Sequence, residues 1–325
     1  MQVPPWVRLS VRLTLVPVAF AAGAAAAQDW PAKPVRMVIT FPPGGPSEIV
    51  TRMVNERLQD ALKQPFVVEN RVGASGNVGA DAVVKAAPDG HAFGITTDTL
   101  FTVNPLVFGK MPFDPWSDLV AITLLGSFSQ MMVCNPSVQA KTLGELLQLA
   151  RREKLTYASG GPGVPGHLAA ELLLSTTGVS MLHVPYKGPA AATTDVMGGQ
   201  VNCGFLATPT VLAHVKAGKL RAFAVSTAKR SPLAPEVPAA AEAGAPGFDA
   251  PFYLVLFASA RTPGEIVARM NREVVRALHL KDVKDRAAAL DIVTLGGSPQ
   301  ETARLLKDAA SKWAPVVQRI GLKLD

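Results

Sequence analysis

The chain has 325 residues, 48% of them hydrophobic and 18% charged, with a formal net charge of +7. That apolar content is enough to bury a sizeable core, which excludes a disordered or low-complexity chain. The basic residues form no dense run, which excludes nucleic acid as the expected partner and leaves a mild preference for anionic small molecules.

The first segment reads as a targeting signal. Arg8 and Arg12 precede an apolar stretch, Leu13–Ala27, that ends in Ala25-Ala26-Ala27 before Gln28. A basic start, a short apolar centre and small residues at the cut describe a secretory signal peptide. A membrane anchor fits less well, because the stretch is 15 residues long and contains Pro17, whereas a span needs about 20 residues. Cleavage is expected after Ala27, leaving residues 28–325 with a charge of +5 once Arg8 and Arg12 are gone from the +7 total. No lipid-attachment cysteine stands at the cut, so a soluble periplasmic protein is expected.

A β-branched run, Val35–Phe41, predicts a strand that stops at Pro42-Pro43-Gly44-Gly45. Ile49, Val50, Met53, Val54, Leu58 and Leu62 then recur near a 3.6-residue period and predict a helix over Ser47–Lys63. Strand, glycine loop, helix is how an α/β unit builds an anion site, because the helix start offers unpaired N–H groups and a partial positive charge. Phe66–Glu69 predicts a strand, Gly73–Asn77 a second glycine loop, Val78–Ala87 a helix and His91–Thr97 a strand. The apolar run Val120–Cys134 predicts an extended strand pair. Helix Leu143–Glu153, strand Leu155–Ser159, loop Gly160–Gly166, helix His167–Thr176, strand Met181–Tyr186, helix Ala190–Met197, strand Val201–Ala207, helix Pro209–Ala217 and strand Leu220–Thr227 follow. After a loose segment, Ser231–Phe248, come strand Phe252–Ala258 and helices Pro263–Leu280, Val283–Leu290 and Pro299–Ile320. The last opens with a capping box at Ser298-Pro299-Gln300-Glu301.

Alternating strands and helices predict parallel sheets with helices on both faces. Two such units are expected, 28–128 and 129–252, with the helical tail 253–325 packed back on the first. The chain would then cross between them near Val120–Cys134 and again near Phe252–Ala258, which makes a hinge with a cleft beside the strand ends.

Catalytic patterns are thin. Gly161-Pro162-Gly163-Val164-Pro165-Gly166 matches the dinucleotide fingerprint, but two prolines stiffen it and the next strand ends in Tyr186-Lys187 rather than an acid for the ribose. Its glycines still suit a carboxylate at a helix start. Ser226-Thr227-Ala228-Lys229 matches S-x-x-K without the companion motifs. His167 and Glu171 are four apart on one helix face without an evident third metal ligand. No enzyme, metal or cofactor is expected. Cys134 and Cys203 lack metal spacing and read as buried free thiols, with pairing in an oxidising compartment left open.

Several segments in order resemble one family: Trp30–Arg36, Phe41–Gly45, Val67–Ala80, Ala86–Gly90, Tyr157–Glu171, His183–Gly188, Gly198–Val201 and Leu220–Pro232. Over essentially the whole mature length the chain resembles the Bug-type solute-binding receptors of tripartite tricarboxylate transporters. The resemblance implies a type II periplasmic binding fold, with two doubly wound α/β lobes joined by a two-crossing hinge. Lobe 1 would be 28–128 plus 253–325 and lobe 2 would be 129–252. It implies a monomer that captures a small organic acid or amino acid and delivers it to an inner-membrane permease. A sensor-kinase partner or, less readily, a periplasmic hydrolase is the alternative. Carried onto this chain, the family's pocket falls on Phe41, Pro43, Gly44, Gly45, Ser47, Thr97 and Thr99 in the first lobe. In the second it falls on Ser159, Gly160, Gly161, Gly163, His167, Tyr186, Lys187, Gly188 and Ala207. The family pattern usually has Asp, Thr, Asp and Asp where this chain has Glu48, Val164, Asn202 and Leu206. These departures imply a monocarboxylate with an apolar or aromatic body rather than citrate. Glu48 has two readings: a first-turn acid favoured by the helix dipole, or a pocket residue suited to an ammonium or bridging water.

Overall fold

The computed structural model describes residues 30–324, so the expected signal segment and its cut lie outside the described residues. The described chain forms eleven strands and eleven α-helices. The first run is β1 (Val35–Ile39), α1 (Pro46–Leu62), β2 (Phe66–Asn70), α2 (Asn77–Val84), β3 (Ala92–Thr97), the short α3 (Thr99–Thr102) and α4 (Asn104–Val107), and β4 (Leu119–Phe128). The second is β5 (Gln130–Cys134), α5 (Leu143–Arg152), β6 (Thr156–Ser159), α6 (Pro165–Thr177), β7 (Leu182–Pro185), α7 (Pro189–Met197), β8 (Cys203–Ala207), α8 (Thr208–Lys216) and β9 (Arg221–Val225). The last is β10 (Phe252–Ser259), α9 (Gly264–His279), α10 (Lys281–Ala288), β11 (Ile292–Gly296) and α11 (Pro299–Ile320).

One sheet has the order β11-β4-β10-β3-β1-β2 and the other β7-β6-β8-β5-β9. The apolar run read as a strand pair divides at Ser129: β4 belongs to the first sheet and β5 to the second. The expectation of parallel sheets is corrected. β2-β1-β3 and β7-β6-β8 are parallel, but β10 is antiparallel to β3 and β4, β5 to β8 and β9, and β11 to β4. β5 and β10 enter their sheets from the other sheet instead of through a covering helix, so they arrive reversed. β11, unforeseen between two helices, adds the reversed edge.

Strand alternation fills both faces of each sheet. Met37 and Ile39 of β1 join Val50, Val54 and Leu58 of α1, while Val38 turns to Ala80 and Val83 of α2. In the second sheet Met132 and Cys134 join Leu146 and Leu168, while Met131 and Val133 join Val196 and Val211. The largest apolar cluster runs continuously through both lobes. The expectation of free thiols is overturned: Cys134 and Cys203 are disulfide-bonded. The β5–β8 register sets them directly opposite, with Cα atoms 3.8 Å apart. Nothing local signals that pairing across a sequence separation of 69.

Candidate functional site

The two sheets meet at a double crossing. Ser129 is the single residue between β4 and β5, and Ala250 and Pro251 lead into β10. Ser226, fully buried at the end of β9, holds both crossings. Its Oγ accepts from Gln130 N–H (2.9 Å) and donates to Ala250 C=O (2.8 Å). That hydroxyl is committed to backbone, so the S-x-x-K reading has no nucleophile to offer. On the other side Asp291 ties the lobes. It accepts from Ser231 Oγ at 2.6 Å and from Ser129 Oγ at 3.3 Å, and Ser129 in turn lies 2.6 Å from Thr208 Oγ1.

Two matched loops face each other across the crossing. At α1 the cap is Gly45, with no side-chain cap bond, and Pro46 takes the first helical position. Glu48, at the third position, turns back: its Oε2 accepts from Gly44 N–H at 2.8 Å and its Oε1 accepts from Arg52 Nε at 2.8 Å. At α6 the cap is Val164, again without a side-chain cap bond, and Pro165 comes first. His167, also at the third position, turns back in the same way, and its Nδ1 accepts from Gly163 N–H at 3.0 Å. Gly44 (φ 84°) and Gly163 (φ 68°) occupy the left-handed region that points these N–H groups under the helix start. Ser159 Oγ adds a second tie in the second loop by accepting from Gly161 N–H at 3.2 Å.

A buried stack stands behind the second loop. The His167 and His183 rings lie 4.0 Å apart at 8°, and Tyr157 covers His183 at 4.9 Å. Burial holds both imidazoles neutral, His183 down at about 4 and His167 at about 3, the latter also through its His183 neighbour. Burial, and then its bond to Glu171 (2.5 Å), pushes the Tyr157 phenol up. Ser159 Oγ is 2.7 Å from His183 Nε2, a nucleophile–base distance. Ser159 is nevertheless fully buried, also bonds Gly161 C=O at 2.9 Å, and faces an imidazole too weakly basic to activate it near neutral pH. His167 Nε2 stands 3.9 Å from Glu171, and the described residues contain no group of three or more His, Cys, Asp or Glu placed to hold a metal.

Between the loops lies a cavity of about 50 Å³. The lobes touch around it: Ser75 Oγ donates to Pro162 C=O at 2.5 Å, and a Cβ on Gly188 would come within 2.7 Å of Pro42. Its lining is mostly apolar, with Phe41, Pro46, Phe128, Val164, Pro165, Pro189, Phe205 and Leu206, and its polar side chains are Ser47, Thr97 and Gln130. None of the lining residues is charged. Four helix starts meet there, those of α1 (Gly45–Ser47), α6 (Val164–Gly166), α7 (Pro189) and α8 (behind Ala207), and none carries a side-chain cap bond. Among the described helices α5, through Thr142, and α11, through Ser298, have side-chain caps and start away from the cavity; α2, α3, α4, α9 and α10 also start outside its lining and have none.

Of the expected pocket residues, Phe41, Gly45, Ser47, Thr97, Gly160 and Ala207 line the cavity. Pro43, Gly44, Glu48, Ser159, Gly161, Gly163, His167 and Gly188 sit in the loops behind or beside it, and the N–H groups of Gly44, Gly161 and Gly163 are taken up internally. Glu48 is thus turned into its own loop rather than the cleft. Thr99 Oγ1 pairs with Thr97 Oγ1 at 2.7 Å, Tyr186 donates to Asp195 at 2.7 Å, and Lys187 lies outside the lining. Asn202 accepts from Thr156 at the far end of β6. Val164 and Leu206, two of the positions that depart from the family pattern, do line the cavity. Phe128, Gln130 and Phe205 were hidden inside strand-like runs. The lone amide in Val120–Cys134 was the one signal available.

The pattern of the tripartite tricarboxylate transporter family receptor matches residues 50–322. The chain is 34% identical to protein BugT of Bordetella pertussis over 92% of each chain. It is similar in structure to Rpa4515 of R. palustris with adipate, with TM-score 0.88 and 32% identity over 91% of this chain and 99% of that one. It is also similar to MatC of Rhodopseudomonas palustris with bound malate, with TM-score 0.84 and 30% identity over 88% of this chain and 99% of that one.

Proposed function

This chain belongs to the tripartite tricarboxylate transporter receptor family, and on that premise we propose that it is an exported periplasmic receptor that closes on a small carboxylate. The lobes we assign are 28–128 with 253–325, and 129–252. The liganded, closed form would be presented to a tripartite-type permease in the inner membrane, with the receptor acting as a monomer and no chemistry done on the cargo.

The observation that carries this reading is the convergence of four helix starts without side-chain caps on a cavity whose lining has no charged side chain. Past the prolines that open α1, α6 and α7, the next first-turn N–H groups have no partner four residues back, and the helix dipole adds a partial positive charge there. At α8 the Thr208 N–H is already taken by Ser129 C=O, so that start contributes mainly its dipole. A carboxylate can therefore be held without Lys or Arg. The apolar walls then favour an acid with an apolar body, and Val164 and Leu206 stand where a citrate pocket would want polar groups. Adipate in Rpa4515 and malate in MatC support the carboxylate class.

The test is native mass spectrometry of protein purified without refolding, followed by thermal shifts across a panel of mono- and dicarboxylates. A true ligand at a hundredfold excess over its Kd is expected to add about 2.7 kcal/mol of stability. A panel in which no acid moves the melting point would sink the reading.

A further inference from the structure

Gln130 is the first residue of β5 and stands where the first crossing ends. Its backbone is fully used: N–H donates to Ser226 Oγ at 2.9 Å, and C=O accepts from Ser226 N–H at 2.8 Å. The residue is 2% exposed, yet its side chain lines the cavity and bonds no described residue. A carboxamide that faces an apolar cavity with no protein partner is left to pair with water or with a ligand.

The amide's position is defined by its neighbours. Gln130 pairs in register with Ala207, and a Cβ on Gly166 would lie 3.3 Å from Gln130 Oε1. This is the hinge side of the cavity. Elsewhere in the lining Gly45 and Gly160 approach Pro189, at 3.7 and 3.3 Å from where their Cβ atoms would be, and Ser47 stands two residues beyond Gly45. The polar side chains of the lining are thus Ser47 and Thr97 from one sheet's lobe and Gln130 from the other, with Phe128, Phe205, Leu206 and Val164 also in its wall.

We infer that Gln130 is a specificity-determining residue: its carboxamide recognises a second oxygen, of a hydroxyl, carbonyl or carboxyl group, at the end of the ligand remote from the carboxylate held near Ser47. This rests on the carboxylate reading of the cleft. Sites built to bond a ligand oxygen discriminate strongly against the analogue that lacks it, because the protein's own polar group is then left unpaired.

The experiment is calorimetric titration with matched acids of four, six and eight carbons: the plain alkanoate, the ω-hydroxyalkanoate and the α,ω-dicarboxylate. The protein is expected to bind at least one ω-oxygenated acid about tenfold or more tighter than the alkanoate of equal length. Gln130→Leu and Gln130→Met are both expected to bring that ratio to within about twofold. Two near-isosteric variants are used, and a ratio of affinities within one variant does not depend on the fraction folded. The hydroxyl and dicarboxylate arms say which oxygen is read. A ratio that survives in both variants, or no preference in the unaltered protein, overturns the role of Gln130 and leaves the carboxylate reading standing. Failure of every acid to bind the unaltered protein overturns the carboxylate reading and this inference with it.

Discussion

In the first jaw of the clamp, Glu48 reaches back from the third position of α1 to Gly44 N–H. In the second, His167 reaches back from the third position of α6 to Gly163 N–H. Each jaw has a proline at the first helical position and a left-handed glycine just before the cap. The acceptors differ in kind. Glu48 is a carboxylate shared with Arg52, whose side chain is largely solvated, whereas His167 is a neutral ring sealed in a stack. Both acceptors are buried, so one geometric device is balanced in two ways. The acid has a cation beside it, Arg52, that reaches solvent, while the second loop avoids the cost of burying charge by using an uncharged nitrogen.

The contrast is sharpest in the scaffolds behind the jaws. The second sheet carries the disulfide between β5 and β8, while the described part of the first sheet has none. Replacing both Cys134 and Cys203 by Ala is expected to cost roughly 4 kcal/mol, given a loop of 69 residues. Urea unfolding should show the second lobe melting before the first. Coincident unfolding of both lobes, with unchanged stability, would refute a staple that acts on one side.

Next come the ties themselves. His167→Leu leaves Gly163 N–H buried without an acceptor, at about 2 kcal/mol. Glu48→Gln keeps an amide oxygen for Gly44 and gives up an ion pair whose Arg52 partner is largely solvated, so a smaller cost, below about 1 kcal/mol, is expected. His167→Asn, which keeps an acceptor near Nδ1, should recover ligand affinity that His167→Leu loses. Equal costs for the Leu and Gln variants would break the comparison.

The two lobes should also titrate in opposite senses. His167 and His183 are held at about 3 and about 4, below their ordinary 6.5. Their stabilisation is complete above pH 6.5 and is lost as pH falls towards 4 and below. In the first lobe Asp98 is fully buried, accepts only from Tyr253 N–H through Oδ1, and leaves Oδ2 unpaired. Burial pushes its carboxyl up to about 7 from 3.8. The folded state there binds more protons, so stability falls as pH rises from about 4 to about 7 and then levels off. Denaturation midpoints at pH 5 and 8 check this. His183→Gln should flatten the acid side by about 1–2 kcal/mol, and Asp98→Asn should raise stability at pH 8 by about 1 kcal/mol. Parallel pH profiles for the two variants would contradict the opposed signs.

Much of the fold was legible because its helices and strands carry strong periods, and because Pro-Pro-Gly-Gly and Gly160–Gly166 announce where strands stop. β11 was not, since Ile292–Gly296 is a short edge strand between two longer helical patterns. Strand direction was not legible either: periodicity reports which face is buried and says nothing of how a strand enters its sheet. Around the cavity, the glycine runs in the sequence marked both helix-start loops. Chain order could not say that Gly44, Gly161 and Gly163 spend their N–H groups on their own loops, nor that Phe128 and Phe205 of separate strands line one wall. Those are facts of packing, and a helix-third-position Glu or His has the same appearance in sequence whether it reaches back or reaches out.

Ser226 has a mechanical consequence. Because one oxygen holds both crossings, beside the Asp291 tie, it marks an axle for any swing of the lobes, and displacement would grow with distance from it. Gln130 is bonded to that axle and would travel little, whereas Gly45 and Pro189 belong to different lobes and would separate. In such a swing, contacts at the axle would be in place before the arms close, and those at the seam between them only afterwards. Recognition at Gln130 would belong to arrival, and the grip of the helix starts at the seam to residence.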